Sequence, residues 1–263
     1  MKVAVRTTDL ASWTPEVVKD VLREISSDEA VNHEYIPVPG LPEFTSAATC
    51  LVFGDNCGVV FENKIGCFQT IGQTGAVRLG ADFLHRQLRL NTVVIPRASA
   101  DLYDGAFKAA SFGDVRYYNN SHELNSSGAS DLIETLKERN LFPFVVAGGL
   151  GLMSGSVEGD AGVIRSLTDR GVEMFVAVSL SRQFGLRDDG VGCLFVVTSD
   201  DSAWLTVSSH LVYMAAPMWG NPPQHGALVV SRTLNDTNKR QRWEKELQSF
   251  VQRDNQEEDG DDL

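Results

Sequence analysis

Apolar residues recur at two different spacings along the chain. After Pro15, the residues Val17, Val21 and Ile25 fall on one face of a helical stretch, and charged residues occupy the other face. The run 172–178 is different, because it is predominantly apolar and rich in valine. Runs of that kind are typical of strands buried on both faces of a sheet.

Strand-like and helix-like stretches follow one another along most of the chain, which predicts a mainly parallel sheet covered by helices on both faces. The predicted fold class is therefore α/β, with three layers in the order αβα. No internal repeat and no clear interdomain linker is visible. The predicted helices are 15–26, 43–53, 77–88, 102–110, 131–139, 160–170, 200–214 and 235–253. A first strand is predicted to begin at Phe68, and buried strands are predicted at 92–95, 142–147 and 172–178, with further strands at 114–118 and 192–197.

Local chemistry predicts how several of these elements begin and end. Thr14 has the side chain of an N-cap, and Pro15 suits the first helical position after it. Gly54 is predicted to end the helix 43–53. Residues 119–130 are rich in serine and asparagine and are predicted to form a polar loop.

A small-residue turn, Gly-Gln-Thr-Gly-Ala at 72–76, separates the strand that begins at Phe68 from the apolar helix 77–88. Such a turn at a helix N-terminus exposes backbone N–H groups and the positive end of the helix dipole, which suits an anionic group. Glycine-rich turns also recur in α/β folds for steric reasons alone. An ordinary turn between strand and helix is therefore the alternative interpretation.

The composition is that of an ordinary soluble globular protein, with 43% hydrophobic and 22% charged residues among 263. The formal net charge is −12, which argues against a nucleic-acid partner because phosphate binding needs clustered lysine and arginine. About half of that charge lies in residues 254–263, which carry six acidic residues and no basic one. This segment is predicted to be a disordered acidic tail.

The cysteines and histidines show no spacing that would indicate a disulfide framework or a metal site. No apolar run approaches the roughly 20 residues that a membrane span needs. The first residues have neither a secretory nor a transit pattern, so a cytoplasmic location is the default expectation. The cysteines, predicted to be reduced thiols, are Cys50, Cys57, Cys67 and Cys193.

Several long motifs resemble those of the aspartate aminotransferases and occur in the same order. The longest is Thr-Gly-Ala-Val-Arg-Leu-Gly-Ala-Asp-Phe-Leu at 74–84. Others are Asn-His-Glu-Tyr-Ile-Pro at 32–37, Leu-Phe-Pro-Phe at 141–144 and Trp-Gly-Asn-Pro-Pro at 219–223. The segment Ser-Leu-Ser-Arg-Gln-Phe-Gly-Leu at 179–186 resembles the one that anchors the cofactor in that family. The resemblance covers nearly the whole chain and implies a fold-type I, pyridoxal-phosphate-dependent aminotransferase.

The same resemblance implies that the catalytic residues are lost. In the family a lysine forms the Schiff base with pyridoxal phosphate, and Arg182 occupies its position here. A guanidinium stays protonated and cannot act as an amine nucleophile. Val146 stands at the position of the aspartate that pairs with the pyridinium nitrogen, and Gly190 at the position of an arginine on the phosphate. Further contacting positions of the family are occupied by Ala100, Gly149 and Ala216.

The site positions that still match the family lie on the phosphate side of the cofactor site. The resemblance implies cofactor-binding roles for Tyr35, Thr74 and Ser179, with Gly72 and Gln73 in altered flanking positions. In the family the tyrosine reaches the cofactor phosphate of the partner subunit. With the lysine, the ring partner and the phosphate arginine replaced together, binding of pyridoxal phosphate is expected to be weak or lost.

By resemblance, residues 1–253 correspond to an incomplete large domain of a fold-type I aminotransferase, followed by the tail 254–263. A deletion near 119–130 is expected to remove one strand, and the C-terminal small domain is expected to be absent. Removing a central strand takes hydrogen-bond partners from its neighbours. Tyr35 and the turn 219–223 correspond to the family's dimer interface, so a homodimer is expected.

Three functional interpretations stay open at this point. The first is a non-catalytic member of the family that acts, if at all, as an interaction or regulatory module. The second is a functioning L-aspartate:2-oxoglutarate aminotransferase with an unusual site. The third is the product of a decayed or alternatively spliced gene that lacks a stable fold.

Overall fold

The strands form one sheet of four and a separate pair. The computed structural model describes residues 13–55, 64–119 and 129–261. The larger sheet has the order β1-β6-β5-β4, and β2 pairs with β3, where the strands are β1 (Ile65–Ile71), β2 (Thr92–Pro96), β3 (Asp114–Tyr118), β4 (Phe144–Ala147), β5 (Met174–Ser179) and β6 (Val191–Val197).

One strand of the larger sheet runs against the other three. β6 is antiparallel to both of its neighbours, β1 and β5, whereas β4 is parallel to β5. β2 and β3 are also parallel. The predicted α/β class with a mainly parallel sheet is therefore confirmed.

Helices separate most of the successive strands, as the pattern predicts, and others precede β1 and follow β6. The helices are α1 (Glu16–Ser26), α2 (Pro42–Phe53), α3 (Gly72–Arg86), α4 (Ala100–Ala109), α5 (Ala129–Glu138), α6 (Val157–Asp160), α7 (Gly162–Asp169), α8 (Asp201–Trp219), α9 (Gln224–Leu234) and α10 (Thr237–Asp261). A short 3₁₀ turn, Arg97–Ser99, precedes α4.

Several predicted boundaries are wrong. Pro15, not Thr14, is the N-cap of α1, and no side chain caps that end. The predicted turn 72–76 is instead the first turn of α3, because Gly72 takes a left-handed φ of 62° and lets the helix begin directly after β1. The helix α9 is absent from the prediction. Of the predicted polar loop, residues 120–128 lie outside the described part of the chain, and the rest includes the start of α5.

The segment 254–263, for which the sequence predicts disorder, is helical as far as Asp261 because α10 continues into it. Glutamate and glutamine are good helix formers, and extending a helix that already exists costs little. Charge composition alone misses this continuation.

Alternate residues of the strands face two hydrophobic clusters, one on each side of the sheet. Val176 and Val178 of β5 belong to the cluster that includes α1, α2, α7 and α9. Phe175 and Ala177 of the same strand belong to the cluster that includes α3 and α8. The sheet is thus the middle of three layers, and its central strands are buried on both faces.

Four strands have an unpaired edge within the described residues, namely β1 and β4 of the larger sheet and both members of the separate pair. β4 pairs only with β5, and β2 pairs only with β3. Every residue of β4 is half-buried rather than buried, and Val94 of β2 is 44% exposed. The prediction that 92–95 and 142–147 are buried is therefore wrong. Unpaired edges such as those of β4 and of the separate pair are what the loss of one central strand would leave, although the deletion near 119–130 itself stays a prediction.

Candidate functional site

The start of α3 and the end of β5, which are predicted to bind an anion, meet at one edge of the larger sheet. Gly192, at the start of β6, pairs with Thr70 on β1 and with Ser179 on β5. Gly72 lies directly against it, since a Cβ added at Gly192 would sit 2.5 Å from the carbonyl carbon of Gly72. The backbone therefore holds Gly72 and Ser179 on opposite sides of the same residue.

The hydroxyls at the end of β5 are engaged by the chain itself. The Ser179 Oγ accepts a hydrogen bond from the backbone N–H of Ser181, at 3.3 Å. The Ser181 hydroxyl accepts from the N–H of Val191 at 2.9 Å and donates to the carbonyl of the same residue at 3.2 Å. Both serines are at least nine-tenths buried. The Ser181 hydroxyl thus joins the turn after β5 to the beginning of β6, and the Ser179 hydroxyl holds that turn.

The next turn is anchored by residues that the motifs do not single out. The Gln183 side chain is fully buried and donates from Nε2 to the Ser179 carbonyl at 2.7 Å. Its backbone carbonyl accepts from the indole N–H of Trp243 on α10 at 3.0 Å. Trp243 also stacks on Phe184, with ring centroids 4.4 Å apart. A contact between α10 and this turn leaves no local sequence signal, because 60 residues separate the partners.

Arg182 points away from this buried network and is exposed. Its guanidinium acts on Tyr103 of α4, which lies on the side of the separate strand pair. Burial raises the pKa of the Tyr103 phenol, and the positive charge of Arg182 opposes that rise by favouring the phenolate.

The N-terminus of α3 is also engaged from within. The N–H of Gly72 donates to the carbonyl of Gly190, a residue in the left-handed region at φ 59°. The Thr70 hydroxyl donates to the Gly72 carbonyl at 2.8 Å. Thr74, in the first turn of the helix, is exposed. The predicted free N–H groups thus do not include the one at Gly72.

Gln73 contributes a contact that the sequence does not predict. Its side-chain amide lies over Gly148, the residue that follows β4. A Cβ added at Gly148 would be 2.5 Å from Oε1 and 3.0 Å from Cδ of Gln73. The side chain therefore reaches from the start of α3 to the carboxyl end of β4.

Tyr35 is not part of this cluster within the single chain. It is 89% exposed. The carbonyl of the next residue, Ile36, accepts a hydrogen bond from the side chain of Asn221 at 2.6 Å. The segment around Tyr35 and the turn 219–223, which the resemblance assigns to the family's interface, are therefore held together.

A cavity of about 670 Å³ lies elsewhere, between α2, α7 and α10, and its lining contains none of the predicted site residues. Its arginines are already engaged. Arg165 donates to the Val52 carbonyl at the end of α2 at 2.9 Å, and Arg240 pairs with Asp55 at 3.1 Å. We therefore assign the candidate site to the sheet edge.

Within the described ranges, no group of histidine, cysteine, aspartate or glutamate side chains is arranged to hold a metal ion. The helices of that same part of the chain are too short or too polar to cross a membrane.

A family model described as aminotransferase class I and II matches residues 5–157 and 150–257. The chain belongs to this family. Cytoplasmic aspartate aminotransferase from Gallus gallus is 30% identical over 291 residues, with 95% of this chain and 71% of the chicken protein covered. That alignment is longer than the chain, so it contains gaps on this chain's side.

Solved aminotransferase structures have the same fold. The aromatic amino acid aminotransferase of Burkholderia cenocepacia J2315 matches with a TM-score of 0.89 and 26% identity, covering 94% of this chain and 71% of that chain. The Burkholderia pseudomallei enzyme, covalently bound to pyridoxal phosphate, matches with a TM-score of 0.89 and 24% identity, covering 95% and 71%. The predicted fold-type I aminotransferase fold and the aspartate aminotransferase-like character of the chain are confirmed.

Proposed function

We propose that this aspartate aminotransferase-like chain is catalytically inactive. The observation that carries the proposal is Arg182 at the end of β5, where the family resemblance expects the Schiff-base lysine. An arginine side chain offers no neutral amine at any working pH, so it cannot attack the cofactor aldehyde. The described neighbours of Arg182 at this edge, Ser179, Ser181 and Gln183, carry no amine, and their side chains are used in hydrogen bonds within the chain.

The residues of the edge do not fit pyridoxal phosphate. Val146, at the position of the family's aspartate, has no group that could pair with a ring nitrogen. The N–H of Gly72 is already donated to Gly190, and the Gln73 side chain covers Gly148. Of the proposed cofactor-binding set Tyr35, Gly72, Gln73, Thr74 and Ser179, only Thr74 and Tyr35 present exposed side chains. Binding of the cofactor is therefore weak or lost.

The role that remains is that of an interaction or regulatory module, acting as a homodimer in the cytoplasm. The exposed Tyr35 and the adjoining turn at 219–223 support self-association through the family's interface. In a two-fold symmetric dimer both subunits contribute the same patch, so a modest patch on each subunit gives an interface of twice its area.

The test is turnover of L-aspartate with 2-oxoglutarate and added pyridoxal phosphate, with the chicken enzyme as the positive control. We expect no product above the protein-free blank from the wild type. Arg182→Lys alone should also give none, because Val146 still replaces the aspartate that pairs with the ring nitrogen in the family. Turnover by the wild type would establish the alternative, an active aminotransferase. A cooperative unfolding transition of the purified chain would exclude the third interpretation, a chain without a stable fold.

A further inference from the structure

The Gln73 side chain and the missing side chain of Gly148 fit each other. Gln73 lies on the first turn of α3, and Gly148 follows β4, yet the two residues touch. Any side chain at position 148 would have to displace the amide, since the added Cβ would come within 2.5 Å of Oε1. The amide thus fills space at the carboxyl edge of the sheet.

Independently, the first N–H of α3 has an internal acceptor. A helix of 15 residues has a positive N-terminal end, and its first N–H groups have no acceptor within the helix. Here the Gly190 carbonyl accepts a hydrogen bond from the N–H of Gly72. Gly192 lies so close to Gly72 that the backbone itself closes this side. A protein oxygen thus accepts the N–H that a bound anion would otherwise need.

We propose that the chain closes its own anion site, with Gln73 as the residue that excludes small phosphate-bearing ligands from the N-terminus of α3. The Gly190 carbonyl accepts the first N–H, and the Gln73 amide fills the space between the N-terminus of α3 and Gly148, at the end of β4. This inference rests on the proposed function in one respect, because it requires that no covalently bound cofactor keeps the site open.

The contact is tested first without any ligand, by a double-mutant cycle in urea unfolding. Gly148→Ala should lower the unfolding midpoint in the wild-type background, where the new methyl group meets the Gln73 amide. In the Gln73→Gly background the same change should leave the midpoint unchanged or raise it. An equal shift in both backgrounds would overturn the proposed contact.

Ligand exclusion is tested by titrating inorganic phosphate and pyridoxal phosphate by calorimetry. Gln73→Gly should bind both at least about tenfold more tightly than the wild type, about 1.4 kcal/mol. The matched control is Gln87→Gly, the same change at the C-cap of the same helix, and it should bind no better than the wild type. Equal binding by the wild type and Gln73→Gly would refute the exclusion.

These outcomes are distinguishable from those that test the proposed function. A reducible adduct at the end of β5 would overturn catalytic inactivity and leave the coupling between positions 73 and 148 unchanged. Absence of that coupling would overturn this inference and leave catalytic inactivity standing.

Discussion

Trp243 holds the turn that carries Arg182, and its replacement by phenylalanine gives a quantitative prediction. The indole is fully buried, donates to the Gln183 carbonyl and stacks on Phe184 at an angle of 13° between the rings. Trp243→Phe keeps an aromatic ring against Phe184 but removes the N–H. The Gln183 carbonyl then stays buried without its donor.

An unsatisfied buried carbonyl costs about 1–3 kcal/mol, and the void left by the smaller ring adds roughly 1 kcal/mol. We therefore expect Trp243→Phe to lower the free energy of unfolding by about 2–4 kcal/mol. Domains are stable by only about 5–15 kcal/mol, so the effect is large. Urea unfolding followed by far-ultraviolet circular dichroism measures it, and the slope with denaturant should not change.

The matched control is Trp13→Phe. Trp13 is also buried and stacks on Phe250 at 4.3 Å, but its indole N–H has no acceptor among the described residues. This change should cost only about 1 kcal/mol for the smaller ring. Trypsin should also cleave after the exposed Arg182 faster in Trp243→Phe than in the control, because the turn opens locally. Equal midpoints and equal cleavage rates in the two variants would refute the anchoring role.

Three further predictions concern the same edge and the surface beside it. Gly192→Ala should destabilise the fold by about 1–3 kcal/mol in urea unfolding, because the new methyl group meets the backbone of Gly72, which has no alternative rotamer; a neutral effect would contradict this packing. Arg182→Gln should raise the pKa of Tyr103 further in an NMR titration of labelled tyrosine, since burial remains and the opposing charge is gone. The buried, neutral phenol stabilises the fold at pH values below its usual pKa of 10.0. This contribution is lost as the pH rises through the higher pKa of the phenol in the folded state. Trp219→Asp should shift the sedimentation profile from dimer to monomer at micromolar concentration, and a wild type that is already monomeric would refute the interface.

The sequence predicts the strands that lie inside the larger sheet because their composition reflects burial on both faces. The runs 172–178 and 192–197 are apolar apart from Glu173 and correspond to β5 and β6. The same criterion fails for β4 and β2. Their residues are apolar as well, but an unpaired edge leaves them partly exposed, and apolarity does not report whether a neighbouring strand is present.

Tertiary contacts account for what the sequence could not predict. The helix α9 contains Gly226, and glycine disfavours a helix. A glycine is nevertheless required at this position, because an added Cβ would come within 2.3 Å of Val191. The positions of Gly72 and Ser179 follow from motif and strand order. The contacts of Gln73 with Gly148 and of Trp243 with Gln183 join distant parts of the chain, and neither has a local pattern.

The most direct test of catalytic inactivity is whether a covalent cofactor forms at the end of β5. The purified protein is incubated with pyridoxal phosphate, its visible spectrum is recorded, and borohydride reduction is followed by peptide mass mapping, with the chicken enzyme treated in parallel. We predict no pyridoxyl adduct on any peptide that spans β5 and Arg182, and no absorption band beyond that of the free cofactor. A pyridoxyl group on that peptide would contradict the proposed inactivity.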